Sequence, residues 1–263
     1  MNKNQPTIWL IGLQTKADKP RGRLRQWLHR WLGRRWPQRW AQDIGRLPDN
    51  TPVRLLELPY TKADFRALPP EQRRRLLQHA LHWLAQPNQQ TRKIGMPLRL
   101  QTLLPAAQRP ALLADGWQLA AQEFIRQSAA ELGGMQNLQG RQAAILGVEA
   151  SSPLERHICD ALLAAGSRPV LYGSRALGLA EYYYQKYGIA IPVFGARKAI
   201  RSSQIIYVLQ GRQPPTQTSK ALFYFREPHV SVPGRFRGRF SFGSFGAGQA
   251  AALLNSNQDA RQT

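Results

Sequence analysis

The strongest constraint in this sequence is a regular alternation of short apolar runs and helical patterns through its second half. The predicted strands are residues 143–146, 169–172, 189–194, 204–209 and 222–225, and the predicted helices between them are residues 153–165 and 176–187. Runs that are apolar throughout are typical of strands buried on both faces, and the helices supply the crossovers that parallel strands need. This half of the chain is therefore predicted to form a parallel sheet.

The remaining segments are predicted to add a smaller α/β domain before this sheet and a closing helix after it. Strands are predicted at residues 7–13 and 53–58, helices at 21–45 (with a break near Pro37), 69–85, 112–132 and 246–254, and residues 93–104 are ambiguous. The predicted domains are residues 1–111, 112–245 and 246–263, the last being a closing helix and a frayed tail. The predicted fold class is α/β: a parallel sheet with helices on both faces, preceded by the smaller α/β domain.

The turn after the strand at residues 143–146 stands where a dinucleotide-binding unit carries its phosphate loop. Of the pattern G-x-G-x-x-G, only the first glycine, Gly147, is present. Glu149 occupies the second glycine position, where its Cβ atom keeps the backbone away from a pyrophosphate and its carboxylate repels one. Ser151 and Ser152 begin the next helix, and they either hydrogen-bond an anion there or simply cap the helix.

The end of the strand at residues 169–172 bears on which nucleotide would bind. Dinucleotide-binding units that take NAD carry an acidic residue here for the ribose 2′-hydroxyl, whereas this chain has Ser174 and Arg175. Arginine suits a 2′-phosphate, so a nicotinamide cofactor, if one binds, is predicted to be NADP. In the alternative interpretation Arg175 is a solvated residue at the start of a helix and there is no cofactor.

Several short motifs, taken in order, resemble those of the shikimate dehydrogenase family and the wider group of amino-acid-dehydrogenase-like Rossmann domains. They are A-D-G at 114–116 (N-T-D-G in the family), the turn at 147–152, S-R at 174–175 (N-R-T), S-S-Q-I-I at 202–206 (A-D-I-V-I) and G-A-G-Q-A at 246–250, where a final helix returns toward the substrate domain. The resemblance covers roughly residues 112–254 and is looser before them. It implies a Rossmann-like fold and a divergent NADP-type oxidoreductase.

The same resemblance implies two catalytic candidates. Asp115 falls on the aspartate that the family pairs with a lysine at the substrate hydroxyl, and Arg99 falls on the position of that lysine. Arginine does not readily lose a proton near neutral pH, so Arg99 would orient an anion rather than act as a base. The alternative role for Asp115 is to cap the helix that follows it. Altered or lost catalysis is therefore expected, and shikimate oxidation is not.

A basic, tryptophan-rich segment, residues 21–40, contains seven arginines, four tryptophans and no acidic residue. This composition suits a helix at the surface of an anionic membrane or a contact with nucleic acid, and a helix that merely packs its tryptophans is the third interpretation. The residues expected to meet an anion are Arg21, Arg23, Arg25, Trp27, Arg30, Trp31, Arg34 and Arg35. A second basic run, residues 235–240, is expected to form a loop.

The formal net charge of +22 attracts phosphorylated ligands, anionic lipid or nucleic acid. The single cysteine, Cys159, excludes an internal disulfide, and no apolar run is long enough to span a bilayer. The dispersed histidines predict no metal site. The protein is expected to be cytoplasmic, and peripheral attachment to a membrane is left open. Two functions remain open: a divergent NADP-type oxidoreductase, and a non-enzymatic Rossmann scaffold that binds an anionic surface through residues 21–40.

Overall fold

The computed structural model describes residues 5–14, 41–149, 153–209, 220–230 and 245–259. Within these residues, four strands and three helices build the N-terminal sheet region. The strands are β1 (Thr7–Gln14), β2 (Ala41–Arg46), β3 (Pro52–Thr61) and β4 (Thr91–Gly95), and the helices are Lys62–Ala67, Pro70–Leu84 and Leu98–Gln101. The strand order is β2-β3-β1-β4. Strand β1 is parallel to β3 and to β4, and β2 is antiparallel to β3.

The core of this region forms where the long helix covers the sheet. Leu77, Leu81 and Leu84 recur at helical spacing and are buried in one cluster with Trp9 of β1. The rings of Trp9 and Trp83 meet edge to face with their centroids 5.5 Å apart. The predicted strands at the start of the chain and the predicted long helix are confirmed, because this core buries the apolar pattern that predicted them.

One prediction for this region is wrong: the helix expected to continue to residue 45 is replaced by strand β2. β2 is an edge strand, and Ile44 is its only buried side chain, so its sequence shows no alternating apolar pattern. Residues 21–40 lie outside the described residues. The ambiguous stretch at residues 93–104 divides at Pro97, with β4 before it and a short helix after it.

The closing helix, Ala247–Asp259, groups with the N-terminal sheet rather than with the central one. The described chain divides into two compact units: one comprises residues up to Gly116 together with those from His229 onward, and the other runs from Trp117 to Pro228. Two short strands, β9 (His229–Val230) and β10 (Phe245–Gly246), pair before the closing helix. The chain thus returns to the first unit at His229, earlier than the boundary at residue 246 that the sequence suggested.

The second unit contains a four-stranded sheet in which every strand is parallel to its neighbours, as predicted. The strands are β5 (Gln142–Leu146), β6 (Arg168–Tyr172), β7 (Ile205–Val208) and β8 (Ala221–Tyr224), in the order β6-β5-β7-β8. The helices are Gly116–Glu131, which begins at the boundary between the units, Leu154–Ala164, Ala176–Tyr187 and Ala196–Ser202.

Helices cover both faces of the central sheet. On one face Ala199 packs in a buried cluster with Ile206 of β7. On the other face, Phe124 meets Tyr207 edge to face with ring centroids 5.5 Å apart, and the Ser128 hydroxyl lies 3.0 Å from the Tyr207 hydroxyl. Successive residues of a strand point to opposite faces, so these contacts enclose the sheet from both sides. The fold is therefore α/β, with a Rossmann-like parallel sheet between two helical layers.

The strand predicted at residues 189–194 is wrong, since only a single bridge forms, between Val193 and Leu171 of the edge strand β6. Pro192 accepts a hydrogen bond from the Leu171 N–H group through its carbonyl oxygen, but it has no N–H group of its own to extend the ladder. None of the helices that the structure describes is both long and apolar enough to cross a bilayer.

Candidate functional site

The candidate nucleotide site lies at the carboxyl edge of the central sheet, where β5 and β6 end side by side. From β5 the chain passes to β6 on one side, and it then returns to β7 on the other side. In open α/β sheets, ligands bind in the crevice outside such a reversal of strand order. The reversal lies between β5 and β7, so the turn after β5 borders this crevice and the turn after β6 adjoins it on the neighbouring strand. Residues 210–219, which follow β7, lie outside the described residues.

Backbone hydrogen bonds fasten these two turns together. The N–H groups of Gly147 and Val148 both donate to the carbonyl oxygen of Tyr172, at 3.0 and 3.1 Å. In return, the N–H group of Arg175 donates to the carbonyl oxygen of Val148 at 3.0 Å. Gly147 has a φ angle of +86°, which a glycine adopts with little steric cost. The first two amides of the turn after β5 are therefore already satisfied within the protein.

Gly173 permits this close approach. A Cβ atom at position 173 would lie 2.3 Å from the carbonyl oxygen and 2.4 Å from the nitrogen of Val148. Both are backbone atoms of a turn that is held by hydrogen bonds, so neither can move aside without breaking some of them. The sequence shows the glycine but gives no sign of the contact, because Val148 lies on another turn.

The described part of the turn after β5 does not fit a pyrophosphate held in the usual way. Such a ligand needs unused N–H donors and a positive potential. Here the amides of Gly147 and Val148 are occupied, and Glu149 stands exposed beside them. Ser151 and Ser152 lie outside the described residues.

The turn after β6 fits a phosphate better. Ser174 and Arg175 are both exposed, directly beyond the carboxyl end of β6 and before the Ala176–Tyr187 helix. The first acidic residue after them along the chain is Glu181. A guanidinium and a hydroxyl group can together donate several hydrogen bonds to phosphate oxygens. The residues at this end of the crevice therefore fit the 2′-phosphate of NADP.

In the N-terminal unit, Asp115 is exposed, and Arg109 lies near enough for the two charges to interact. The Arg109 guanidinium donates to the carbonyl oxygens of Leu104 and Gln101 at 3.1 and 3.2 Å. Burial lowers the pKa of Arg109, and the Asp115 carboxylate opposes that shift. Arg99 is exposed on its short helix. Arg109 was not among the sequence-based candidates, because no motif includes it.

Two motifs of the family resemblance meet around Asp115. A Cβ atom at Gly116 would lie 2.2 Å from the Cα atom of Gly248, and one at Gly248 would lie 1.9 Å from the carbonyl oxygen of Met96. The Gln101 side chain, 1% exposed, donates to the same Met96 oxygen at 2.9 Å. The first turn of the closing helix therefore packs backbone to backbone against the segment that carries Asp115. The helix predicted from residue 112 begins only at Gly116.

The remaining candidates add no further chemistry. Cys159 is buried, and that burial raises the pKa of its thiol, which keeps it protonated and unreactive. Among the residues that the structure describes, no group of three or more His, Cys, Asp or Glu side chains is placed to hold a metal ion. Both basic segments fall outside the described ranges, including Arg21, Arg23, Arg25, Trp27, Arg30, Trp31, Arg34 and Arg35.

No protein-family model matches this chain, and no curated protein matches its sequence. Among solved structures, it is similar to shikimate 5-dehydrogenase from Listeria monocytogenes, with 11% identity, a TM-score of 0.36 and coverage of 77% of this chain and 68% of that one. It is also similar to methylenetetrahydrofolate dehydrogenase-cyclohydrolase from Trypanosoma brucei, with 14% identity, a TM-score of 0.37 and coverage of 99% and 90%. L-tryptophan dehydrogenase from Nostoc punctiforme shows 13% identity, a TM-score of 0.29 and coverage of 78% and 57%. These are distant likenesses of fold alone.

Proposed function

We propose that this protein is a divergent relative of NADP-dependent oxidoreductases, with a degenerate cofactor loop and altered or lost catalysis. Its central unit binds an NADP-type nucleotide weakly, through Ser174 and Arg175. The observation that carries this proposal is the hydrogen-bonded pair of turns at the carboxyl ends of β5 and β6. In this proposal Arg175 meets the ribose 2′-phosphate, and the pyrophosphate gains nothing from the amides of Gly147 and Val148, which already donate to Tyr172.

The charge distribution supports a preference for NADPH over NADH. A 2′-phosphate next to Arg175 gains a charge-assisted hydrogen bond, and residues 173–175, which follow β6, include no acidic residue to accept the 2′-hydroxyl of NADH. Hydrogen bonds to charged groups contribute about 1.5–3 kcal/mol. Arg175 is exposed, so the lower end of that range applies, which corresponds to about tenfold in affinity.

The substrate-side residues support altered chemistry. Asp115 is accompanied by Arg109, and Arg99 stands at the lysine position of the resemblance. Neither guanidinium readily takes up or releases a proton near neutral pH, so both act as fixed positive charges that would orient an anionic substrate. Proton transfer at a substrate hydroxyl by an aspartate–lysine pair is therefore not part of this proposal. Asp115 is the candidate acid or base that remains.

The test is calorimetric titration of the full chain with NADPH and with NADH at moderate salt. We expect NADPH to bind more tightly, and Arg175→Ala to weaken NADPH about tenfold while leaving NADH nearly unchanged. Arg168→Ala is the matched control, because Arg168 is also exposed but lies at the amino end of β6, whereas Arg175 follows its carboxyl end. Equal affinity for the two nucleotides, or equal losses in the two variants, would refute the proposal.

An anionic partner for the basic segment at residues 21–40 is a separate proposal that rests on its composition. If Arg21, Arg23, Arg25, Arg30, Arg34 and Arg35 meet phosphate groups, replacing them with glutamine lowers sedimentation with anionic vesicles or retention of single-stranded DNA. Replacing Trp27 and Trp31 with alanine should lower the same binding through lost insertion or stacking. If neither set of changes alters either measurement, the segment has no such role.

A further inference from the structure

The Ala176–Tyr187 helix carries four tyrosines, which divide between the core and the surface. Tyr183 is 1% exposed, and its hydroxyl lies 2.5 Å from a carboxylate oxygen of Asp160 and 2.8 Å from the carbonyl oxygen of Arg156. This buried ring fastens the helix to its neighbour, Leu154–Ala164. Burial of Tyr183 therefore fixes which side of the helix carries the other three tyrosines. We refer to Tyr182, Tyr184 and Tyr187, together with Lys186 and Arg156, as the tyrosine surface.

Positive charge lies directly among these rings. The Lys186 ammonium donates a hydrogen bond to the Tyr182 hydroxyl at 3.0 Å. It also sits 5.4 Å from the Tyr182 ring centroid and 5.0 Å from the Tyr187 centroid. Arg156 belongs to the neighbouring helix, and its guanidinium lies 5.9 Å from the centroid of the Tyr182 ring. Cation–π contacts of this kind fix a charged group against an aromatic face.

Two rings of the tyrosine surface face solvent. Tyr184 is 65% exposed and Tyr187 is 51% exposed. Residues three apart on a helix are neighbours on its surface, so positions 184 and 187 are about one helical turn apart on the same side of the helix. Single exposed tyrosines need no explanation, but here two exposed rings accompany a cation that is fixed against Tyr182 and Tyr187, which makes a structured surface.

The surrounding charge selects an anionic partner. Between residues 168 and 201 the chain has six basic residues and one acidic residue, Glu181. Glu181 accepts a hydrogen bond from Gln185, and Asp160 lies against the Tyr183 hydroxyl, so both nearby carboxylates are engaged. A second copy of this chain would bring like charges together. A lipid surface would find only one exposed large aliphatic side chain on this helix, Leu177.

We propose that the tyrosine surface binds single-stranded nucleic acid, with bases stacked on Tyr184 and Tyr187 and phosphates placed at Lys186 and Arg156. Stacking on aromatic faces is tolerant of base identity, so little sequence preference is expected. The tyrosines and Lys186 lie in the last two turns of their helix, whereas Arg175 precedes its first, so the stacking positions are separate from the nucleotide crevice. Arg156 lies in the first turn of the neighbouring helix.

The test measures fluorescence anisotropy of a short labelled oligothymidylate with the full chain, alongside an abasic oligomer of equal length. Tyr184→Ala should weaken oligothymidylate binding about tenfold and abasic binding little, because stacking is lost and the phosphate contacts remain. Tyr184→Phe should keep the affinity, and Lys186→Gln should reduce the slope of log affinity against log salt by about 0.7 for both oligomers. Tyr224→Ala is the matched control, since Tyr224 is 42% exposed and lies on the opposite edge strand, β8.

Each alternative result would overturn the proposal. Equal effects of Tyr184→Ala and Tyr224→Ala would place binding elsewhere on the chain, including residues 21–40. Equal losses for oligothymidylate and the abasic oligomer would show that no base stacks on Tyr184. A Tyr184→Ala variant that loses sedimentation with phosphatidylserine-containing vesicles but keeps oligothymidylate affinity would assign this surface to lipid.

Discussion

Replacing Gly173 with alanine tests whether the paired turns have the close contact on which the nucleotide site depends. The new Cβ atom would lie 2.3 Å from the Val148 carbonyl oxygen, and an ordinary contact requires about 3.4 Å, so the turns must separate by about 1 Å. That movement strains three hydrogen bonds, which run from Gly147 and Val148 to Tyr172 and from Arg175 to Val148. Each contributes about 1 kcal/mol, and the positive φ angle of Gly173, +155°, adds about 1 kcal/mol for a residue with a side chain.

We therefore expect Gly173→Ala to lower the free energy of unfolding by about 3–4 kcal/mol, a large share of the total of about 5–15 kcal/mol typical of a domain. Urea denaturation followed by circular dichroism measures the change. The matched control is Gly178→Ala in the following helix, where a Cβ atom meets nothing within 4 Å. Alanine there should stabilise by about 0.5–1 kcal/mol, since it is the better helix former. A loss below about 1 kcal/mol for Gly173→Ala would refute the close contact.

Two further predictions concern charges on the central unit. Glu149→Gln should tighten NADPH binding about threefold in calorimetry, since two like charges several ångströms apart in water repel by about 0.5–1 kcal/mol, and unchanged or weaker binding would contradict this. The hydrogen bond from Lys186 lowers the pKa of Tyr182, so Lys186→Met should shift the tyrosinate absorbance of one tyrosine to higher pH. An unchanged titration curve would show that the contact does not persist in solution.

The central sheet could be predicted from the sequence because its local signals agree with its tertiary structure. Its strands are apolar throughout since both faces are covered, and its helices end at glycines, such as Gly166 and Gly188, that have φ angles of +71° and +69°. Strand β2 could not be predicted in this way. It gains its hydrogen bonds from antiparallel pairing with β3 and buries only Ile44, so no local pattern marks it.

The sequence predicted where along the strands the candidate residues fall, but not how the two turns meet. Ser174 and Arg175 followed from their place after a strand, whereas the contact between Gly173 and Val148 is a meeting of two turns that no spacing encodes. Arg109 approaches Asp115 through its hydrogen bonds to carbonyl oxygens, and such backbone contacts leave no motif. Part of the tyrosine surface can be read in the sequence as the run Y-Y-Y-Q-K, but only the burial of each side chain shows which rings face solvent.

The paired turns also explain how the central unit tolerates Glu149. In a phosphate loop, backbone N–H groups that have no partner in the protein donate hydrogen bonds to the ligand. A carboxylate beside them weakens the binding of that anion. Here Tyr172 supplies the partner for both Gly147 and Val148, so these two amides are satisfied by the protein itself and an exposed acid beside them costs little in folding. Under the proposed function, a nucleotide gains little from these two amides and owes its affinity chiefly to Arg175. The preference for NADPH over NADH is then large relative to the total binding energy.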